Sequence, residues 1–167
     1  MSDLFNPKAP DLSSSLQTPG PIANFTAIYF LQNTHQSPII SINLGQKQAS
    51  RSLIEASEFS LVVEILTTQF GQRLLSRSAD VLIKCQIQTF MKPLGSIHEQ
   101  KIWESLASTV LHNEQKEYRL QFQPAQINRG FYSLQLLLLT SGARSLPLLF
   151  EVPVIQVNSR QNSIQNR

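Results

Sequence analysis

One cysteine, Cys85, in 167 residues leaves no intrachain disulfide and no cysteine-based zinc site. The six glycines are scattered, and none forms the Gly-rich turn that cradles phosphate ahead of a helix. Gly-x-Ser-x-Gly, His-Glu-x-x-His and calcium-loop patterns are all missing. The three histidines, His35, His98 and His112, stand in polar, turn-like contexts that suit solvated side chains better than catalytic ones. No apolar run approaches the ~20 residues that span a bilayer. The segment from Met1 to Lys8 lacks an apolar stretch of signal-peptide length. These absences argue for a soluble, non-enzymatic protein of a reducing compartment, expected in the cytoplasm, with no cofactor, no metal and no membrane insertion.

Charge is scarce as well, at 15% of residues, and the shortfall is filled by polar uncharged side chains that include 18 Gln. Residues 1–118 hold nine Lys/Arg against ten Asp/Glu, whereas residues 119–167 hold five arginines against Glu151 alone. A basic end can attract anions. These arginines come singly, without a Lys/Arg run or interleaved aromatics, which argues against a nucleic-acid groove. Arg119, Arg129 and Arg144 are the candidate interaction surface.

What the chain does contain is strand-length alternation between turn residues. Residues 1–21 carry four prolines and read as a flexible leader, 22–157 as one domain, and 158–167 as a polar tail. Strands are expected at Asn24 to Leu31, Ile39 to Leu44, Phe59 to Leu66 and Ala79 to Phe90. Gln69 to Asp80 reads as a polar connection with a single helical turn at Leu74 and Leu75. Glu117 to Val157 reads as a three-strand β-meander. Its middle run, Leu134 to Leu139, is apolar on both faces except at Gln135, which suits a central strand. Its last run carries Pro147 and Pro153, which suits an edge or a bulge. Cys85 falls within a strand, where a buried inert thiol is the default.

Residues 96–112 pull two ways. Ile102, Trp103, Leu106, Ala107, Val110 and Leu111 share one helical face, and Ser96 with Glu99 would make a capping box. The neighbouring strands favour a strand instead, joined as a hairpin to Glu117–Phe122, and a strand is the expectation. About eight strands without βαβ alternation predict an all-β antiparallel sandwich of seven to eight strands. The alternatives are a small β-barrel or a sandwich with one helix at 97–112.

The run Asn128-Arg-Gly-Phe-Tyr-Ser-Leu134 resembles the corner that precedes the penultimate strand of immunoglobulin-like domains. There a tyrosine hydroxyl ties back to upstream backbone. The resemblance covers about seven residues. It implies an immunoglobulin-like sandwich without the disulfide, with Asn128, Gly130 and Tyr132 as its structural corner. The function expected of such a chain is a protein-interaction module or accessory adaptor subunit with another protein as partner. The short Ile39–Leu44 strand then offers an exposed edge for pairing, including self-association. The alternative is a carbohydrate-type ligand-binding sandwich that uses Tyr29, Trp103, Tyr118 and Tyr132.

Overall fold

Alternating apolar side chains zip the chain into two sheets. A computed structural model describes residues 19–32, 40–43, 53–54, 57–77, 80, 82–95 and 101–159. The strands are β1 (Ala23–Gln32), β2 (Ile40–Asn43), β3 (Leu53–Ile54), β4 (Phe59–Thr67), β5 (Ile83–Pro93), β6 (Trp103–Leu111), β7 (Glu117–Gln121), β8 (Gly130–Ser141) and β9 (Leu148–Asn158), with one helix, α1 (Gln69–Arg77). Sheet A has the order β2-β1-β4-β7 and sheet B the order β3-β9-β8-β5-β6. All pairings are antiparallel except the two-residue contact of β3 with β9. The fold is therefore an all-β sandwich of two separate sheets, and neither the barrel nor the helix alternative describes it. The leader at 1–18, the residues at 96–100 and the tail beyond 159 lie outside the described residues.

The core lies between the sheets. Sheet A contributes Phe25, Ile28 and Phe30 from β1 and Phe59, Leu61, Val63 and Ile65 from β4; sheet B contributes Ile83, Cys85 and Ile87 from β5 and Leu134, Leu136 and Leu138 from β8. Aromatic contacts cross the gap. Phe59 meets Trp103 of β6 edge-on at 5.5 Å between ring centroids, and Phe25 lies 6.0 Å from Phe150 of β9. Such pairs add about 0.5–1.5 kcal/mol to what burial alone provides.

Two β-bulges decide which residues reach this core. In β1 the register slips between Phe25 and Ala27. One extra residue moves every later side chain to the opposite face. Ala23 and Phe25 point inward before the slip, Ile28 and Phe30 after it. The straight alternation expected for β1 therefore fails, since Tyr29 and Leu31 share no face with Phe25. In β9 the slip falls opposite Tyr132 and Leu134, at Pro153–Val154. Phe150 and Val152 face inward before it, Ile155 and Val157 after it. Proline has no N–H to give the ladder, so it occupies the one place where the ladder is already broken.

Three expectations need correction. Residues 103–111 are strand, but β6 pairs with β5 in sheet B, whereas β7 pairs with β4 in sheet A. The turn at residues 112–116 thus carries the chain from one sheet to the other and makes no hairpin. It is held by Tyr118, whose hydroxyl accepts the His112 N–H at 2.7 Å and lies 3.0 Å from the Gln115 carbonyl oxygen. The meander loses its first strand for the same reason, and of its three strands only β8 and β9 pair as a hairpin. Finally, the connection after β4 is a full helix over nine residues. Thr68 caps it by accepting the Gly71 N–H at 3.0 Å. Leu75 is buried, and Phe70 and Leu74 pack against the core at one end of the sandwich. A Cβ on Gly71 would run into the Ile22 carbonyl oxygen, so only glycine lets this helix approach β1 so closely.

Candidate functional site

A cleft of about 720 Å³ opens on the outer face of sheet A. Its polar wall follows from strand register. Glu64 of β4 stands opposite Ala27 of β1 and Arg119 of β7. The β1 bulge turns Tyr29 to the same outer face, where its hydroxyl donates to Glu64 Oε2 at 3.1 Å. Burial raises the Tyr29 pKa above the usual phenol value, and so do the hydrogen bond to Glu64 and the Glu64 charge; Arg119 pulls it back. Thr26, Gln115 and Glu117 complete a rim that offers both donors and acceptors. A ligand rich in hydroxyl groups could satisfy such a wall. Sequence alone does not reveal it, because Tyr29, Glu64 and Arg119 lie far apart in the chain and meet only through strand pairing.

The outer face of sheet B, on the other side of the molecule, mixes polar residues with exposed apolar side chains. One row across the outer side of sheet B joins Leu106 of β6, Gln88 of β5, Leu137 of β8 and Leu149 of β9. Leu106 is 53% exposed and Leu149 62%; Phe131 and Val154, further along the same sheet, are 55% and 50% exposed. Leu137 is half-buried by its neighbours.

The corner residues are close together. Tyr132 is buried, and its hydroxyl donates to the Asn128 carbonyl oxygen at 2.8 Å. Its pKa is raised by burial. Gly130 adopts a φ of 157°, and a Cβ there would lie 3.1 Å from the Tyr132 hydroxyl. The three candidate arginines are not gathered. Arg119 lines the sheet A cleft. Arg129 precedes β8 and Arg144 follows it, which separates them by the strand's twelve residues, or about 40 Å at ~3.3 Å per residue.

Of the other aromatic candidates, Tyr118 and Tyr132 are buried, and Trp103 is half-buried against Phe59. Tyr29 presents its hydroxyl to the sheet A cleft, and Tyr118 also contributes to its lining. Cys85 is fully buried, and burial pushes its thiol pKa up to about 12. His112 is exposed in the turn after β6, while His35 and His98 lie outside the described residues. Among the described residues, no three His, Cys, Asp or Glu side chains gather to hold a metal, and no helix is long and apolar enough to cross a membrane.

Fold and surfaces define a two-sheet all-β sandwich with a polar-walled cleft on one outer face and exposed apolar side chains on the other. The chain matches no protein-family model and no curated protein sequence.

Proposed function

We propose that this domain is a non-enzymatic interaction module, an accessory or adaptor subunit of immunoglobulin-like build. The observation that carries the reading is the set of exposed apolar side chains on the outer face of sheet B. A two-layer sandwich needs apolar residues only between its sheets, yet Leu106, Leu137, Leu149, Phe131 and Val154 stand on the outside. Large exposed apolar side chains collected on one sheet face are the kind of surface used in protein–protein contact. The immunoglobulin-like part is supported by chain order. Named A, B, C, C′, E, F and G, the strands β1, β4, β5, β6, β7, β8 and β9 give the sheets A-B-E and G-F-C-C′. The Tyr132 corner supports it too.

The test is affinity capture with the wild-type chain and with Leu137→Glu/Leu149→Glu. A partner held by the wild type and released by the charged face supports the reading. A partner held equally by both overturns the role of this face.

The Tyr29 cleft favours a second reading, a sandwich that takes a polar ligand of carbohydrate type. Calorimetric titration with oligosaccharides checks it: binding should weaken at least tenfold in Arg119→Ala, and absence of heat with the wild type removes the reading. Trp103 fluorescence is a poor reporter here, because the indole packs on Phe59 between the sheets, away from the cleft.

A further inference from the structure

The open edge of β6 is built to pair, and we infer that its occupant is a second copy of this chain. Sheet edges present unpaired backbone groups, and proteins guard them with short strands, charges, prolines or bulges. Three of the edges described here are guarded. β2 has four residues; β7 has five and carries Glu117 and Arg119; β9 is broken at Pro153 and already meets β3 at Val157 and Asn158. β6 has none of these devices. It runs nine residues in unbroken register with β5, lacks proline, and carries one charged side chain, Glu104. Among the described residues no strand lies on its other side.

Which backbone groups are free follows from the hydrogen bonds. Leu94 N–H donates to the Phe131 oxygen, so the even-numbered residues of β5 bond β8 and the odd-numbered ones bond β6. Thr89 Oγ1 donating to the Ser105 oxygen at 3.1 Å agrees, because it places that carbonyl on the β5 side. By alternation, Glu104, Leu106, Ser108 and Val110 aim their N–H and C=O groups at the open edge.

A two-fold axis beside Ala107 pairs this strand with its copy over its full length and uses every one of those groups. Trp103 then faces Leu111 of the second copy, Ser105 faces Thr109, and Leu106 faces Ser108. These are large-to-large, hydroxyl-to-hydroxyl and apolar-to-small pairs of the kind that stabilise antiparallel ladders. Glu104 meets Val110, so no like charges oppose. The outer faces of the two copies become continuous across the seam, with Leu106 of each copy beside Ser108 of the other. The interface is self-complementary, as a two-fold contact must be. It stands independently of what docks on the outer face of sheet B.

Sedimentation velocity over a concentration series tests the inference on the full chain. The wild type should reach twice the monomer mass, while Ser108→Pro and Leu106→Lys should stay monomeric with unchanged circular dichroism. The proline is tolerated within the monomer because the Ser108 N–H makes no ladder bond there. Under mild oxidation Ala107→Cys should give a disulfide-linked dimer, since directly opposed non-hydrogen-bonded residues lie about 4.5 Å apart between Cα atoms. Cys85 is buried and does not compete. A wild type that stays monomeric throughout overturns the proposal. So does a dimer that persists in Leu106→Lys, or one that Ala107→Cys fails to cross-link.

Discussion

β6 and β9 flank the same core of sheet B, and the chain treats them in opposite ways. β9 spends Pro153 and a bulge to break its ladder, and its apolar phase changes face at that point. β6 keeps strict register over nine residues and, among the described residues, leaves four residues' worth of backbone groups unpaired. Protection is therefore local: it comes from single residues at single positions, and one sheet can carry a closed edge and an open one. The difference also separates stability from association. Changes at β9 should act on folding, whereas changes on the open side of β6 should act on pairing.

The largest effect is expected at the residues that the β9 bulge turns inward. Ile155 and Val157 are both buried and reach the core through the slip at Pro153–Val154. Ile155→Ala should lose about 2–5 kcal/mol in urea unfolding. Deleting Val154 should cost less, because it removes the slip and keeps Ile155 and Val157 on the inner face. A loss below ~1 kcal/mol in Ile155→Ala would mean that this inward placement carries no energetic weight.

Next comes Thr109→Pro on β6. Thr109 pairs with Cys85 on the side that bonds β5, so this proline removes a ladder bond and strands a carbonyl oxygen. The expected cost is roughly 2–4 kcal/mol. Ser108→Pro, one residue away, should cost less than ~1 kcal/mol. Equal costs would show that the assignment of open and paired sides is wrong.

One strand in from that edge, Cys85 predicts an alkaline weakness. Its thiol keeps the proton up to about 12 in the folded state, against an ordinary value of 9.0. The unfolded chain releases that proton first, so the contribution is intact below pH ~9 and is lost as pH rises toward the folded value. Between pH 9 and 10 stability should approach a slope of ~1.4 kcal/mol per pH unit. Cys85→Ala, although less stable overall, should flatten this slope; an unchanged slope assigns the loss to other groups.

The smallest effect belongs beside β9. Tyr132 pairs with Ile155, and its hydroxyl holds the Asn128 carbonyl. Tyr132→Phe should lower stability by about 1 kcal/mol, seen as a small drop in denaturation midpoint with the m-value unchanged. No drop would leave the corner without energetic weight.

Much of this architecture is legible in the sequence, for a physical reason. Alternation of apolar residues fixes strand type wherever a strand is straight. Accordingly β4, β5 and β8 stand close to where the pattern places them, and the bulged, proline-bearing edge is readable from Pro153. β1 is less legible because its bulge mixes two phases, so both faces look half apolar. The helix after β4 carried a usable signal in the Thr68 cap and the stripe of Phe70, Gly71, Leu74 and Leu75; the polar residues between obscured it. The Tyr29–Glu64–Arg119 cleft had no local signal at all, since its members lie on three strands.

By itself the sequence determined the all-β character, the strand identity of β4, β5 and β8 and the burial of Cys85, because each depends on a residue's own neighbours along the chain. The tertiary structure alone decided that β6 and β7 part into different sheets, which side of β6 stays open and which side chains line the cleft. Those outcomes depend on the register between strands distant in sequence, and backbone hydrogen bonding is the same for every residue type, so no local pattern encodes it.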